Sequence, residues 1–252
     1  MSTDINDQQM LRYSRQIMLD DIDIAGQEKL LAATVLVVGA GGLGCPAALY
    51  LASAGIGKLI IADDDHVELS NLQRQIAHGD NDVNKAKVES LADSIAAINP
   101  EIEVECFDRR LQGDALYANV AKADIVVDCS DNFQTRFALN AACVSEKKPL
   151  ISGAAIRMEG QVSVFHGSQN DQPCYRCLYS EQDGEDLNCS TNGVLAPLVG
   201  IIGSIQAFET LKLIVGFGES LAGRLLIFDG KYLEWRELKI SKDPACPICQ
   251  QD

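Results

Sequence analysis

Gly39, Gly41 and Gly44 stand in the spacing G-x-G-x-x-G between the apolar run Val35 to Val38 and a helix-like segment, and no other feature restricts the fold as much. The surrounding stretch Thr34 to Gln75, TVLVVGAGGLGCPAALYLASAGIGKLIIADDDHVELSNLQRQ, reads as buried strand, glycine loop, helix, second strand and polar turn. Such a unit presents backbone N–H groups at the positive end of a helix, where a phosphate can lie. Asp63 closes the second strand about twenty residues after the loop, placed to accept hydrogen bonds from a ribose. The glycines alone would suit a nicotinamide dinucleotide equally well. The residues that follow shift the balance: Asn71 and Arg74 lie just past the strand, and Lys85 and Lys87 come next. Cationic and amide groups there suit a triphosphate better than a less charged pyrophosphate.

The alternation continues downstream. A helix is expected over Lys85 to Ile98, with Val88, Leu91, Ala92 and Ile95 on one face and Pro100 ending it. Strands at Ile102 to Phe107, Asp124 to Asp128 and Leu150 to Ser152, with a helix at Phe133 to Val144, imply an α/β fold with a mainly parallel, Rossmann-like sheet. From near Gly160 the pattern changes to antiparallel strands at Gln161 to Phe165, Arg224 to Phe228 and Tyr232 to Ile240, around one long helix near Val199 to Val215. Upstream, Met10 to Leu31 reads as a helical arm, with Leu11, Ile17 and Leu30 buried and Arg12, Tyr13 and Arg15 polar or amphipathic. The 252 residues are thus expected to form a single domain: an arm over 1–31, a nucleotide-binding part over 32–159 and a β-rich part over 160–252.

Bulk properties narrow the partners. With 47% apolar and 23% charged residues the composition is that of a globular protein. A formal charge of −15 argues against a nucleic-acid partner, whose phosphates most of the surface would repel. The start MSTDINDQQM lacks a secretory pattern, and the most apolar tract, Val194 to Phe208, reads as too short and interrupted to span a bilayer. A soluble, cytoplasmic chain with no membrane partner is expected.

Asp131 lies just past the strand DIVVD, at the sheet end where ligands collect. Its carboxylate suits Mg²⁺ held against nucleotide phosphates. The competing role is an N-cap, because Asp131 also opens a helix. Cys174-Tyr175-Arg176-Cys177 and Cys246-Pro247-Ile248-Cys249 are two C-x-x-C pairs, able to supply four thiolates to a structural zinc. Redox dithiols are the rival, set aside because neither pair reads as the start of a helix after a strand. Of the other cysteines, Cys45, Cys106, Cys129 and Cys143 read as small core residues, whereas Cys189 lies in the polar loop GEDLNCSTNG, where a ligand could reach its thiol. His66, His78 and His166 show no spacing suited to a metal or triad, and no role is assigned to them.

Together these segments resemble the MoeB/ThiF/HesA family, the bacterial relatives of ubiquitin-activating E1 enzymes. The likeness runs over nearly the whole chain in order: LRYSRQI, GAGGLG, ADDD, LSNLQRQ, DCSDN, SGAAIRMEGQ, CYRC, the loop with Cys189, and CPIC. It implies ATP- and Mg²⁺-dependent adenylation of the C-terminal glycine of a ubiquitin-like sulfur carrier ending in Gly-Gly, with pyrophosphate released. By position it makes Gly39, Gly41, Gly42 and Gly44 the phosphate loop and Asp63 the ribose ligand. Asn71, Arg74 and Lys87 become triphosphate ligands, and Asp131 the catalytic, Mg²⁺-linked acid. Arg15 matches an arginine inserted into the neighbouring subunit's site, which implies a homodimer with composite sites. The four C-x-x-C thiolates match the family's zinc ligands. Cys189 matches a cysteine that, in the thiamine branch, can form an acyl disulfide with the carrier. ADDD, FDGK and Trp235 are similar to thiamine-pathway members, SGAAIRMEGQ and APLVGIIGS to molybdopterin members. No rhodanese-like extension follows Cys249, so a separate protein is expected to donate the sulfur. Two other classes compete: a nicotinamide-dependent oxidoreductase, for which no histidine offers an obvious acid, and a non-catalytic zinc-stabilised scaffold, which would not need triphosphate ligands.

Overall fold

In the computed structural model, which describes residues 5–169, 171–180 and 193–250, the apolar runs become strands of one eight-stranded sheet. Five are parallel: β1 (Thr34–Val38), β2 (Lys58–Ala62), β3 (Glu103–Phe107), β4 (Ile125–Asp128) and β5 (Leu150–Ile156). Three antiparallel strands continue the sheet: β6 (Glu159–Phe165), β7 (Arg224–Asp229) and β8 (Glu234–Lys239). The order β3-β2-β1-β4-β5-β6-β7-β8 joins both expected patterns in a single sheet. Because β1 lies between β2 and β4, successive crossovers leave β1 in opposite directions. The resulting crevice opens at the carboxyl ends of β1 and β4, the place where such sheets bind ligands.

Pleating sorts the strand side chains onto two faces. Val35, Val37, Leu59 and Ile61 face α4 (Gly44–Ala54), α5 (Lys87–Ile98) and the long helix α9 (Ala196–Val215) in one core. Leu36, Ile60 and Val126 face α6 (Gly113–Lys122) and α7 (Phe133–Ser145) in the other. Every residue from Val35 to Val37 is fully buried, as a parallel strand covered on both faces requires. The arm consists of the short helices α1 (Asp7–Arg12), α2 (Ser14–Ile17) and α3 (Asp23–Ala32), and a single turn, α8 (Tyr175–Leu178), follows β6.

Several expectations need correction. The arm is three helices, broken at Tyr13 and again where Asp23 takes a φ of 51°. Leu11, expected inside, is 78% exposed, whereas Tyr13 is 2% exposed and its hydroxyl accepts a bond from Asn99 Nδ2 at 2.9 Å. The break at Tyr13 turns that ring inward, where its one polar atom finds a partner. Cys106 is exposed on β3, the edge strand, while Cys45, Cys129 and Cys143 are buried as expected. Residues 196–215 form an uninterrupted helix, long and apolar enough to cross a membrane by length and composition. Its buried polar residues tell against that use: Gln206, Glu209 and Thr210 all find protein partners in the domain interior.

Candidate active site

The crevice is a cavity of about 620 Å³, lined by Gly39, Gly41, Gly42, Asp63, Asn71, Arg74, Lys87 and Asp131 among others. Its floor follows from local sterics. Gly39 has a φ of 101°, and a Cβ there would meet the Cys129 carbonyl oxygen at 2.6 Å, so the loop after β1 lies directly against the turn after β4. A Cβ on Gly41 would stand 3.5 Å from Gln75 Nε2, and one on Gly42 would press on Val199. Gly44, expected to join the phosphate loop, does not line the cavity; it is buried where a Cβ would meet the Gly39 carbonyl oxygen at 1.8 Å. Its absence of a side chain lets α4 begin against the loop, the packing task of the third glycine. No side chain caps α4, which leaves its amino end to the loop and to whatever occupies the cavity.

Asp63, just past β2, ties the two walls together: Oδ2 accepts from Ala40 N at 2.6 Å and Oδ1 from Asp65 N at 2.8 Å. Burial raises its carboxyl above the usual range, against the lowering effect of the Ala40 N–H bond and of Lys87. Lys87, at the start of α5, has a side chain 7% exposed that donates to Asp65 Oδ2 at 2.7 Å. Asn71 and Arg74 lie on and after a short 3₁₀ turn, with Arg74 Nη1 donating to Ser70 O at 3.2 Å. Lys85, grouped with Lys87 on sequence, instead pairs with Asp93 and does not line the cavity.

Asp131 is exposed to the cavity, and it is not the cap of α7. That role belongs to Asn132, whose side chain accepts from Thr135 N at 2.9 Å. Of the two roles open on sequence, the capping one therefore falls to its neighbour, and the Asp131 carboxylate is left facing the cavity. This exposed oxygen donor, lining the same cavity as the glycine loop, fits a hard cation such as Mg²⁺. Arg15 is exposed on α2 and is not among the lining residues. Cys189 lies outside the described residues.

The cavity also contains residues that sequence reasoning missed. Arg109 and Arg110 reach it from the end of β3, Arg110 beside Asp64 at 3.5 Å and Arg109 over the Phe107 ring at 5.5 Å. Gln75 is 4% exposed, and its Oε1 has no hydrogen-bond partner among the described residues, so it is a buried acceptor in the cavity wall. Arg136 enters from α7, and His66, given no role, stands exposed at the rim. The lining carries five basic residues (Arg74, Lys87, Arg109, Arg110, Arg136) and five acidic ones (Asp63, Asp64, Asp65, Glu68, Asp131), so an anion is met at particular cationic side chains and not by an excess of positive charge.

The cysteine cluster sits apart from the cavity. Sulfur separations are 3.9 Å for Cys174–Cys177, 3.6 Å for Cys174–Cys246 and 3.5 Å for Cys177–Cys249, and all four lie within 4.8 Å of one another. Four sulfurs at the corners of a tetrahedron around zinc would be about 3.8 Å apart, so the set fits that ion. Burial pushes the Cys174 thiol up to about 11, so a thiolate at Cys174 calls for a compensating cation. One ground for setting aside a redox role does not hold, since Cys174 caps α8; the gathering of four sulfurs replaces it.

The fold and cavity define a class: a Rossmann-like α/β protein whose glycine loop faces a carboxylate across the switch point. Residues 13–248 match the profile of the ThiF family, and the chain belongs to that family. It is 50% identical to the molybdopterin-synthase adenylyltransferase of Salmonella typhimurium, over 98% of this chain and 99% of that one. It is 47% identical to the sulfur carrier protein ThiS adenylyltransferase of Escherichia coli, over 97% of each. Escherichia coli MccB, solved with ATP, shares the fold with a TM-score of 0.81 at 24% identity, covering 99% of this chain and 76% of that chain.

Proposed function

We propose that this protein adenylates the C-terminal glycine of a small ubiquitin-like sulfur carrier with ATP, releasing pyrophosphate and preparing the carrier for thiocarboxylation. The observation that carries this is the presence of Asp63, Asn71, Arg74, Lys87 and Asp131 in one cavity, in a chain about equally similar to adenylyltransferases of two carrier types. A nicotinamide oxidoreductase finds no support among these relatives, and a scaffold would not need triphosphate ligands such as Asn71, Arg74 and Lys87.

The chemistry needs charge relief and alignment. The attacking glycine carboxylate is ionised at neutral pH, so no general base is required, but it must approach an anionic α-phosphate. Arg74 and Lys87 lower that repulsion, the loop of Gly39, Gly41 and Gly42 aligns the phosphates, and Asp63 orients the ribose. Asp131 would hold Mg²⁺, which when bound neutralises phosphate charge. Arg15, exposed and outside its own cavity, is assigned to the site of a second copy in a homodimer. Cys174, Cys177, Cys246 and Cys249 would hold a structural zinc. Cys189 is assigned a sulfur-transfer step after adenylation. The whole chain would work as one adenylation unit in the cytoplasm.

The test is ATP–pyrophosphate exchange by the purified protein with Mg²⁺ and a MoaD-type or a ThiS-type carrier ending in Gly-Gly. Exchange with one of them is expected, and it selects the branch. No exchange with either overturns the proposal.

A further inference from the structure

We propose that Arg136 is a positioning residue of the adenylation step, fixing the turn that presents Asp131; this rests on the adenylyltransferase reading of the site. Arg136 lies in the first turns of α7 and is 7% exposed. Its Nη2 donates to Ser130 O at 2.8 Å and to Gly153 O at 3.4 Å, and its Nε stands 3.9 Å from Asp128 Oδ2. Asp128 is fully buried and holds the same turn from the other side: Oδ1 accepts from Ser130 N at 3.0 Å and from Ser130 Oγ at 2.6 Å, and Oδ2 from Ser152 Oγ at 2.9 Å. From α9, Gln206 Nε2 donates to the Asp128 carbonyl at 2.7 Å. On the far side of Asp131, Asn132 is fixed by its capping bond to Thr135 N. Asp131 is therefore the single residue between two anchored points, with its carboxylate directed to the cavity.

The arrangement is costly for a merely structural device. A guanidinium and a carboxylate are both withdrawn from water, at a separation too long for a hydrogen bond, and Arg136 Nε has no hydrogen-bond partner. Apolar residues of similar volume commonly fill such space at least as stably. What they cannot do is donate to the Ser130 carbonyl from beside the Asp128 carboxylate, which is the geometry that sets the direction of Asp131.

The experiment measures exchange kinetics and calorimetric ATP affinity for Arg136→Gln, in the native and in an Asp131→Asn background. Asp128→Asn with Arg136→Gln, which buries no unpaired charge, replaces the single change if that does not fold. In the native background the exchange kcat is expected to fall roughly ten- to a hundredfold while ATP affinity changes by less than about threefold. In the Asp131→Asn background the same change should alter the residual rate by less than about twofold, because Arg136 acts through Asp131. Arg136→Lys, which keeps the charge but not the fork, should recover only part of the rate. Equal losses in both backgrounds, or parallel loss of rate and ATP affinity, overturn the inference alone. Absence of exchange in the unmutated protein overturns the adenylyltransferase reading and the inference with it.

Discussion

Asp63 carries two opposed demands. It accepts backbone bonds from both walls of the cavity, yet its burial disfavours the ionised form those bonds prefer. Its raised carboxyl predicts that ATP affinity weakens on acidification at a pH above the ordinary carboxylate range, and that Asp63→Asn flattens this limb while weakening binding throughout; calorimetric titration against pH reads both. The stability sign is separate. A folded-state pKa above the unfolded value means the contribution is full below the unfolded value and declines as pH rises through the folded one. Asp131→Ala should remove exchange by about a hundredfold or more while leaving carrier affinity nearly unchanged. At this scale the sequence was informative where residues share one continuous motif: Asp63, Asn71, Arg74 and Lys87 follow the glycine loop along the chain. Arg109, Arg110 and Arg136 follow no such motif, because only the placement of β3 beside β2, and of α7 across β4, brings them in.

Elements were legible where periodicity was strong. On the expected α5 face Val88, Leu91 and Ile95 are fully buried and Ala92 is half-buried, and the parallel and antiparallel parts of the sheet fall where the patterning changes. The arm was not, since short helices broken by turns leave no period long enough to read. That is how Leu11 and Tyr13 exchanged places. The start of α4 makes a sharp prediction. Gly44→Ala places a methyl group on the Gly39 carbonyl and should cost about 3 kcal/mol in urea unfolding, whereas Gly200→Ala in α9, with no atom within 4 Å of its added Cβ, should be near neutral or stabilising. A similar cost at both positions would show that α4 can shift away from the loop.

At the scale of the whole molecule, the placement of Arg15 outside its own cavity leads to a complementation experiment. Arg15→Ala and Asp131→Ala should each be inactive, and subunits mixed and re-equilibrated should regain about a quarter of the native sites, since half the dimers carry one intact site each. No recovery on mixing, despite subunit exchange, would place Arg15 outside the partner's chemistry. The cysteine cluster joins residues 174–177 to 246–249, so it closes the C-terminal strands into a loop. Removing zinc with a strong chelator should lower the Tm by several degrees, as loss of a structural metal does, and metal analysis should find one zinc per chain.

The contact between Gly39 and the Cys129 carbonyl has a consequence for how this protein can change over time. Most crowded positions in a core can be rescued by a second substitution that trims the neighbour. Here the neighbour is a main-chain oxygen, which every amino acid possesses, so no replacement at position 129 makes room. Variants at position 39 thus have no compensating partner within reach, and the loop and the turn that carries Asp131 must be inherited as one piece.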